Sequence, residues 1–164
     1  MVEVTVDHLG AVQFEARARG HRVFSDQPLE NGGFDEGMTP PEYFLVALGT
    51  CAGHYAVEYL KARHLSTTGL RVHTTAEKVK NPGRLDDIRI AVDCPEGLAE
   101  KDREGVLRAC EKCLIHNTLT HPPKLRVELT QANSALDPSV AAEPAAERPA
   151  AARAANVLPF PDAA

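Results

Sequence analysis

Apolar and polar residues alternate from the start of the chain, first at Val2, Val4 and Val6 and again at Val12, Phe14, Ala16 and Ala18. A period of two marks a half-buried strand, so two strands are expected, turned at His8-Leu9-Gly10. Gly20-His21 breaks the pattern before a short third strand over 22–25, and the Gly- and Asp-rich run from Asp26 to Met38 reads as a loop. Thr39-Pro40-Pro41-Glu42 then has the form of a capping box, with prolines where a helix needs no donor. The helix that follows, to about His64, carries a stripe of Phe44, Leu48, Cys51, Tyr55 and Tyr59. Leu45, Val46, Ala52, Ala56, Val57 and Leu60 widen that stripe beyond an ordinary amphipathic face. Such a helix is expected to be central, covered by sheets or by a partner chain.

Two longer strands are predicted at about 70–80 and 85–93, joined by Asn81-Pro82-Gly83 as a hairpin turn. A second helix begins after Gly97 and runs through Val106, Leu107, Ala109, Cys110 and Cys113, with a short turn from Ile115 to Leu119. Pro122-Pro123 stops it, and Leu125, Val127 and Leu129 make a last alternating strand. The order βββ-α-ββ-α-β predicts an α+β fold with antiparallel sheets. With 43% apolar and 25% charged residues in 164, the chain has room for one well-cored domain, expected over 1–130. The remainder, 131–164, is rich in Ala and Pro with almost no large apolar residue before Val157; it is expected to be a disordered tail.

A net charge of −5 offers no footprint for a polyanion, so nucleic acid is not expected as a partner. The acidic, alternating start lacks the form of a secretory signal, and no run reaches the ~18 apolar residues of a spanning helix; a cytoplasmic protein without membrane contact is expected. In that compartment the four cysteines are free, metal-bound or catalytic rather than structural disulfides. Cys51 lies mid-helix in an apolar setting, and burial by itself opposes ionisation of a thiol, so a reactive role requires a cation or donor from elsewhere in the fold. An inert packed cysteine is the alternative. Cys110 and Cys113 form a C-x-x-C with His116 at the next equal spacing, which leaves open a zinc site, a redox pair or two ordinary cysteines. Cys94, beside Pro95, reads as an incidental surface thiol, and His54, one turn beyond Cys51, reads as a core histidine or as a local base.

Two separated motifs carry a resemblance to a known family. Asp26-Gln27-Pro28, Gly32-Gly33 and the run from Gly37 through Thr39-Pro40-Pro41-Glu42 to Gly49-Thr50-Cys51 resemble the OsmC/Ohr signature leading into its central helix. Downstream, Arg108-Ala109-Cys110-Glu111-Lys112-Cys113-Leu114-Ile115-His116-Asn117-Thr118-Leu119 is similar to the segment that holds the family's second cysteine, which falls on Cys113. The resemblance covers about 1–130. It implies an intertwined homodimer around two long helices and a thiol-dependent peroxidase that defends against oxidative stress without a cofactor or metal. In that chemistry Cys51 attacks an organic or inorganic hydroperoxide, Cys113 resolves the sulfenic acid, and a dithiol reductant restores the pair. Glu42 matches the carboxylate that positions an activating arginine, for which Arg19, with Arg17 and Arg22 beside it, is the substitute by sequence proximity. The Cys-Pro-x-Ser pattern common at the second cysteine is replaced here by Cys113-Leu114-Ile115-His116. The other readings are a non-catalytic dimer of the same fold that binds a small ligand, with its cysteines only packed, and a zinc module on Cys110, Cys113 and His116.

Overall fold

Three short strands open the chain, β1 (Thr5–Gly10), β2 (Gln13–Ala18) and β3 (His21–Ser25), joined as an antiparallel sheet in that order. The computed structural model describes residues 1–130, and the expected tail lies outside them. The first reversal falls two residues later than the turn predicted at His8-Leu9-Gly10. His8 still pairs with Phe14, and Gly10 and Ala11 take the positive φ values, 137° and 45°, that close the turn. Val6, Ala16 and Val23 stand in one cross-strand row, yet Val6 is 58% and Val23 43% exposed. The polar residues Gln13 and Glu15, on the opposite face, are buried. Arg17 pairs there with Asp7 and Glu15, and Arg22 lies 3.6 Å from Glu15. The sheet therefore turns its charged face inward and leaves its apolar face bare in a single chain.

A loop, 26–38, is wrapped around Asp26, which is 1% exposed. Its carboxylate accepts from the amides of Gln27 (2.8 Å), Phe34 (3.0 Å) and Glu36 (3.1 Å) and from the Gln13 side chain (3.1 Å). Gly33 and Gly37 serve this packing, because a Cβ would lie 1.9 Å from the Gln27 carbonyl oxygen or 2.7 Å from that of Phe24. These elements form one compact unit, Met1–Met38 with the described residues from Glu128.

The second unit, Thr39–Val127, is built on the helix α1 (Pro40–Lys61). Its start is capped as the sequence predicts: Glu42 accepts from the Thr39 amide at 2.7 Å and from the Thr39 hydroxyl at 2.8 Å. A hairpin of β4 (Arg71–Lys80) and β5 (Gly83–Asp93) follows, then α2 (Glu100–Cys110) and α3 (Leu114–Thr120). The buried stripe of α1 is Leu48, Ala52, Ala56 and Leu60, not the predicted line through Cys51 and the tyrosines, and it packs with Val106 and Cys110 of α2. Toward β4 the helix approaches closely at two glycines. A Cβ on Gly49 would stand 3.1 Å from Thr74 Cγ2 and one on Gly53 3.4 Å from Val72 Cγ2, while the Thr74 hydroxyl donates to the Leu45 carbonyl at 3.1 Å. At the far end Tyr59 donates to Asp102 at 3.3 Å under the Arg63 guanidinium, and the absence of a side chain at Gly105 makes room for the ring.

Two expectations are corrected in this unit. The second helix stops at Cys110 instead of running through Cys113, and the expected turn from Ile115 to Leu119 is the separate helix α3. The last strand is absent: residues 122–130 take no strand conformation, and Leu125, Val127 and Leu129 are 88%, 89% and 102% exposed. Alternation reports a face suited to burial, but a strand also needs a neighbour for its backbone groups, and among the described residues no edge of either sheet supplies one. The helix α1 is likewise covered on only part of its surface, with Val46, Ala47, Thr50 and His54 exposed.

Burial pushes the Asp26 carboxyl up, but the Glu36, Gln27 and Phe34 amides and the Gln13 side chain outweigh it and hold the group below its usual value. A carboxylate depressed in the folded state stabilises it above the unfolded pKa and loses that contribution as pH falls through the lower folded value. Asp26→Asn is therefore expected to cost about 2 kcal/mol at neutral pH and to flatten the loss of stability below about pH 4. Melting curves from pH 2 to 7 check this; a variant with the parent's curve at every pH would contradict it.

Candidate functional site

Cys51 stands three turns into α1, between buried Ala52 and exposed Thr50, and is itself half-buried. The break between α2 and α3 carries Cys113 to it. Cys113 is the N-cap residue of α3, fully buried, and its Sγ accepts from the His116 amide at 3.2 Å. The Cys51 thiol lies close enough to Cys113 to oppose its ionisation. Burial raises the Cys113 thiol, the His116 amide works against that, and Cys51 adds to the rise; the result is an upward shift.

Cys110, at the end of α2, is 4% exposed and donates from Sγ to the Ala52 carbonyl at 3.5 Å. Burial pushes its thiol up to about 11, and the neighbouring Cys113 and Cys94 oppose its ionisation further. Cys94 is not the incidental surface thiol expected, since it is half-buried and packs against the core around Ala52 and Cys110. His54 is no core histidine either: it is exposed and meets Tyr55 edge-on at 5.7 Å between ring centroids. His116 is half-buried, with Nδ1 shut off from solvent and unbonded among the described residues. No group of three potential metal ligands occurs among the described residues, so Cys110, Cys113 and His116 are not gathered for zinc.

Glu42, exposed in the capping box, is held below the usual carboxylate range first by the Thr39 amide, then by the Thr39 hydroxyl and the charge of Lys78, against a smaller opposing effect of burial. Its cationic neighbour in this unit is thus Lys78, which the sequence did not single out. Arg19 belongs to the other unit, where it is exposed in the β2–β3 turn with φ 57°. Arg17 and Arg22 are held by carboxylates of their own sheet.

The arrangement sets two neighbouring thiols side by side, Cys51 half-open to solvent and Cys113 enclosed. The family model described as OsmC-like protein matches residues 33–128, which include the run from Gly37 to Cys51, the downstream motif and all four cysteines. The chain belongs to the OsmC-like family. The fold of this OsmC-like protein is shared with an osmotic stress induced and detoxification response protein from Psychrobacter arcticus, at TM-score 0.67 and 18% identity, over 72% of this chain and 88% of that one. An OsmC-like protein from Mycoplasma pneumoniae matches at TM-score 0.64 and 20% identity, over 73% of this chain and 87% of that one. An organic hydroperoxide resistance protein OsmC from Legionella pneumophila matches at 0.55 and 14%, over 73% and 88%. No curated protein matches in sequence. No helix among the described residues is long and apolar enough to cross a membrane.

The Asp26-Gln27-Pro28 motif drew attention in the sequence, but Asp26's part as the polar centre of a loop was not readable from it. An acidic residue followed by glycines at Gly33 and Gly37 was the signal available. The burial and raised thiols of Cys110 and Cys113 predict that both are alkylated more slowly than the half-open Cys51 in the native protein at pH 7. Timed iodoacetamide labelling read by peptide mapping checks the order; Cys110 modified before Cys51 would contradict it.

Proposed function

We propose that this OsmC-like protein is a thiol-dependent peroxidase for organic or inorganic hydroperoxides, with Cys51 as the attacking cysteine and Cys113 as the resolving one. The observation that carries the reading is the closeness of the two thiols, Cys113 enclosed and Cys51 half-open on α1. In the first step the Cys51 thiolate attacks one oxygen of the hydroperoxide; the O–O bond breaks, the alkoxide or hydroxide leaves and takes up a proton, and Cys51 becomes a sulfenic acid. In the second, Cys113 sulfur attacks Cys51 sulfur, the S–O bond breaks, water leaves, and a Cys51–Cys113 disulfide forms. A dithiol then reduces it by two exchange steps, and both cysteines return to thiols.

The remaining site residues take supporting parts in this reading. Arg19 is the cation that the family resemblance, by sequence proximity, suggests for the Cys51 thiolate. Glu42 orders the start of the helix that bears Cys51. A homodimer would cover the bare apolar row of the first sheet, the exposed side of α1 and the strand-like segment at Leu125, Val127 and Leu129.

One observation favours the packing-only alternative, the enclosure of Cys113 and the upward shift of its thiol. Peroxide consumption with dithiothreitol separates the two readings. Cys51→Ser is expected to lose activity by about 100-fold or more. Cys113→Ser should consume peroxide briefly and then accumulate Cys51 sulfinic acid, and Arg19→Ala should slow the first step alone. A Cys51→Ser variant as fast as the parent would overturn the proposal.

A further inference from the structure

We propose that Cys110 is a third redox cysteine, which takes the disulfide over from Cys51 by exchange at Cys113 and so returns Cys51 to its thiol form without an external reductant. This rests on the peroxidase reading and extends it. Three thiols, not two, meet at one turn of α1. Cys113 lies beside Cys51 on one side, and on the other its amide donates to the Cys110 carbonyl at 3.1 Å. A four-residue turn closed in this way brings its end Cα atoms within about 7 Å, which overlaps the ~4.4–6.8 Å that a disulfide spans. The Cys110 thiol itself reaches the carbonyl of Ala52, the residue after Cys51, at 3.5 Å. A cysteine retained only to fill the core beside Ala56 and Val106 has no need of a redox partner three residues away across a hydrogen-bonded turn.

The exchange is balanced within the protein. Cys110 gives its proton to solvent and attacks Cys113 sulfur; the Cys51–Cys113 bond breaks, and Cys51 leaves as a thiolate at a half-open position, where it is protonated or meets a second peroxide. One disulfide is consumed and one formed, so the only oxidant is the hydroperoxide that made the first. The step is slow beside the first turnover, since the Cys110 thiol, pushed up to about 11, is scarcely ionised at neutral pH. Its rate is expected to rise about tenfold per pH unit, following the thiolate fraction. Without reductant, the freed Cys51 of the parent protein then disposes of a second equivalent of peroxide and stays a sulfenic acid, because Cys113 is already bonded to Cys110, whereas a protein lacking Cys110 stops at one equivalent with Cys51 held in the disulfide.

The test is a time course of the full chain after one equivalent of cumene hydroperoxide at pH 8, acid-quenched, alkylated and mapped, beside Cys110→Ala, which suits the apolar surroundings. The Cys51–Cys113 linkage is expected first, followed by conversion to Cys110–Cys113 with Cys51 recovered as a free thiol; Cys110→Ala should stop at the first linkage. A parent that forms Cys51–Cys113 and stops there, or ends with Cys110 joined to Cys94, overturns this inference alone. A parent in which Cys51–Cys113 never appears overturns it together with the peroxidase reading. Because the parent time course decides the matter, the result does not depend on how well the variant folds.

Discussion

Cys113 meets Cys51 because α2 ends at Cys110 and the chain turns before α3 begins. Had the helix run on through Cys113, that thiol would have stood one turn beyond Cys110 on nearly the same face, held by the helix's own backbone. The break instead makes Cys113 an N-cap, whose sulfur takes the His116 amide and whose thiol reaches α1. The departure from Cys-Pro-x-Ser is compatible with this geometry, since an ordinary residue at Leu114 fills the first helical position that proline would otherwise occupy.

The other half of the pair depends on how α1 is seated. Leu48, Ala52, Ala56 and Leu60 are buried against α2, while Gly49 and Gly53 let the helix settle on Thr74 and Val72. A helix held on two sides presents the residue between those contacts at a set angle. Cys51, next to Ala52 and two positions after Gly49, is therefore both anchored and partly open. Small residues at Gly49, Ala52, Gly53 and Ala56 bring this about, for larger ones would lift the helix from the hairpin and move Cys51 from Cys113.

The parts of the fold that rest on local chemistry were readable in advance. Thr39 and Glu42 announced the helix start, Asn81-Pro82-Gly83 the hairpin, and alternation the first five strands. What failed depended on neighbours. Leu125, Val127 and Leu129 alternate as a strand should, but alternation cannot say whose edge they join, and among the described residues they join none. The same blindness placed the stripe of α1 through Cys51, since a helix apolar on most sides does not reveal which side its own chain will cover. At the site, Cys51 and Cys113 were marked by a resemblance; their contact, the proximity of Cys110 and the enclosure of His116 are products of tertiary packing.

The pairing of Cys51 with Cys113 can be measured apart from any peroxide. In a Cys94→Ser/Cys110→Ser protein equilibrated with reduced and oxidised glutathione, two thiols held in contact compete with glutathione at a high effective concentration. The intramolecular Cys51–Cys113 disulfide should then dominate the oxidised protein over a wide range of glutathione concentrations. Accumulation of Cys51 as a mixed disulfide with glutathione, beside a free Cys113 thiol, would contradict the account.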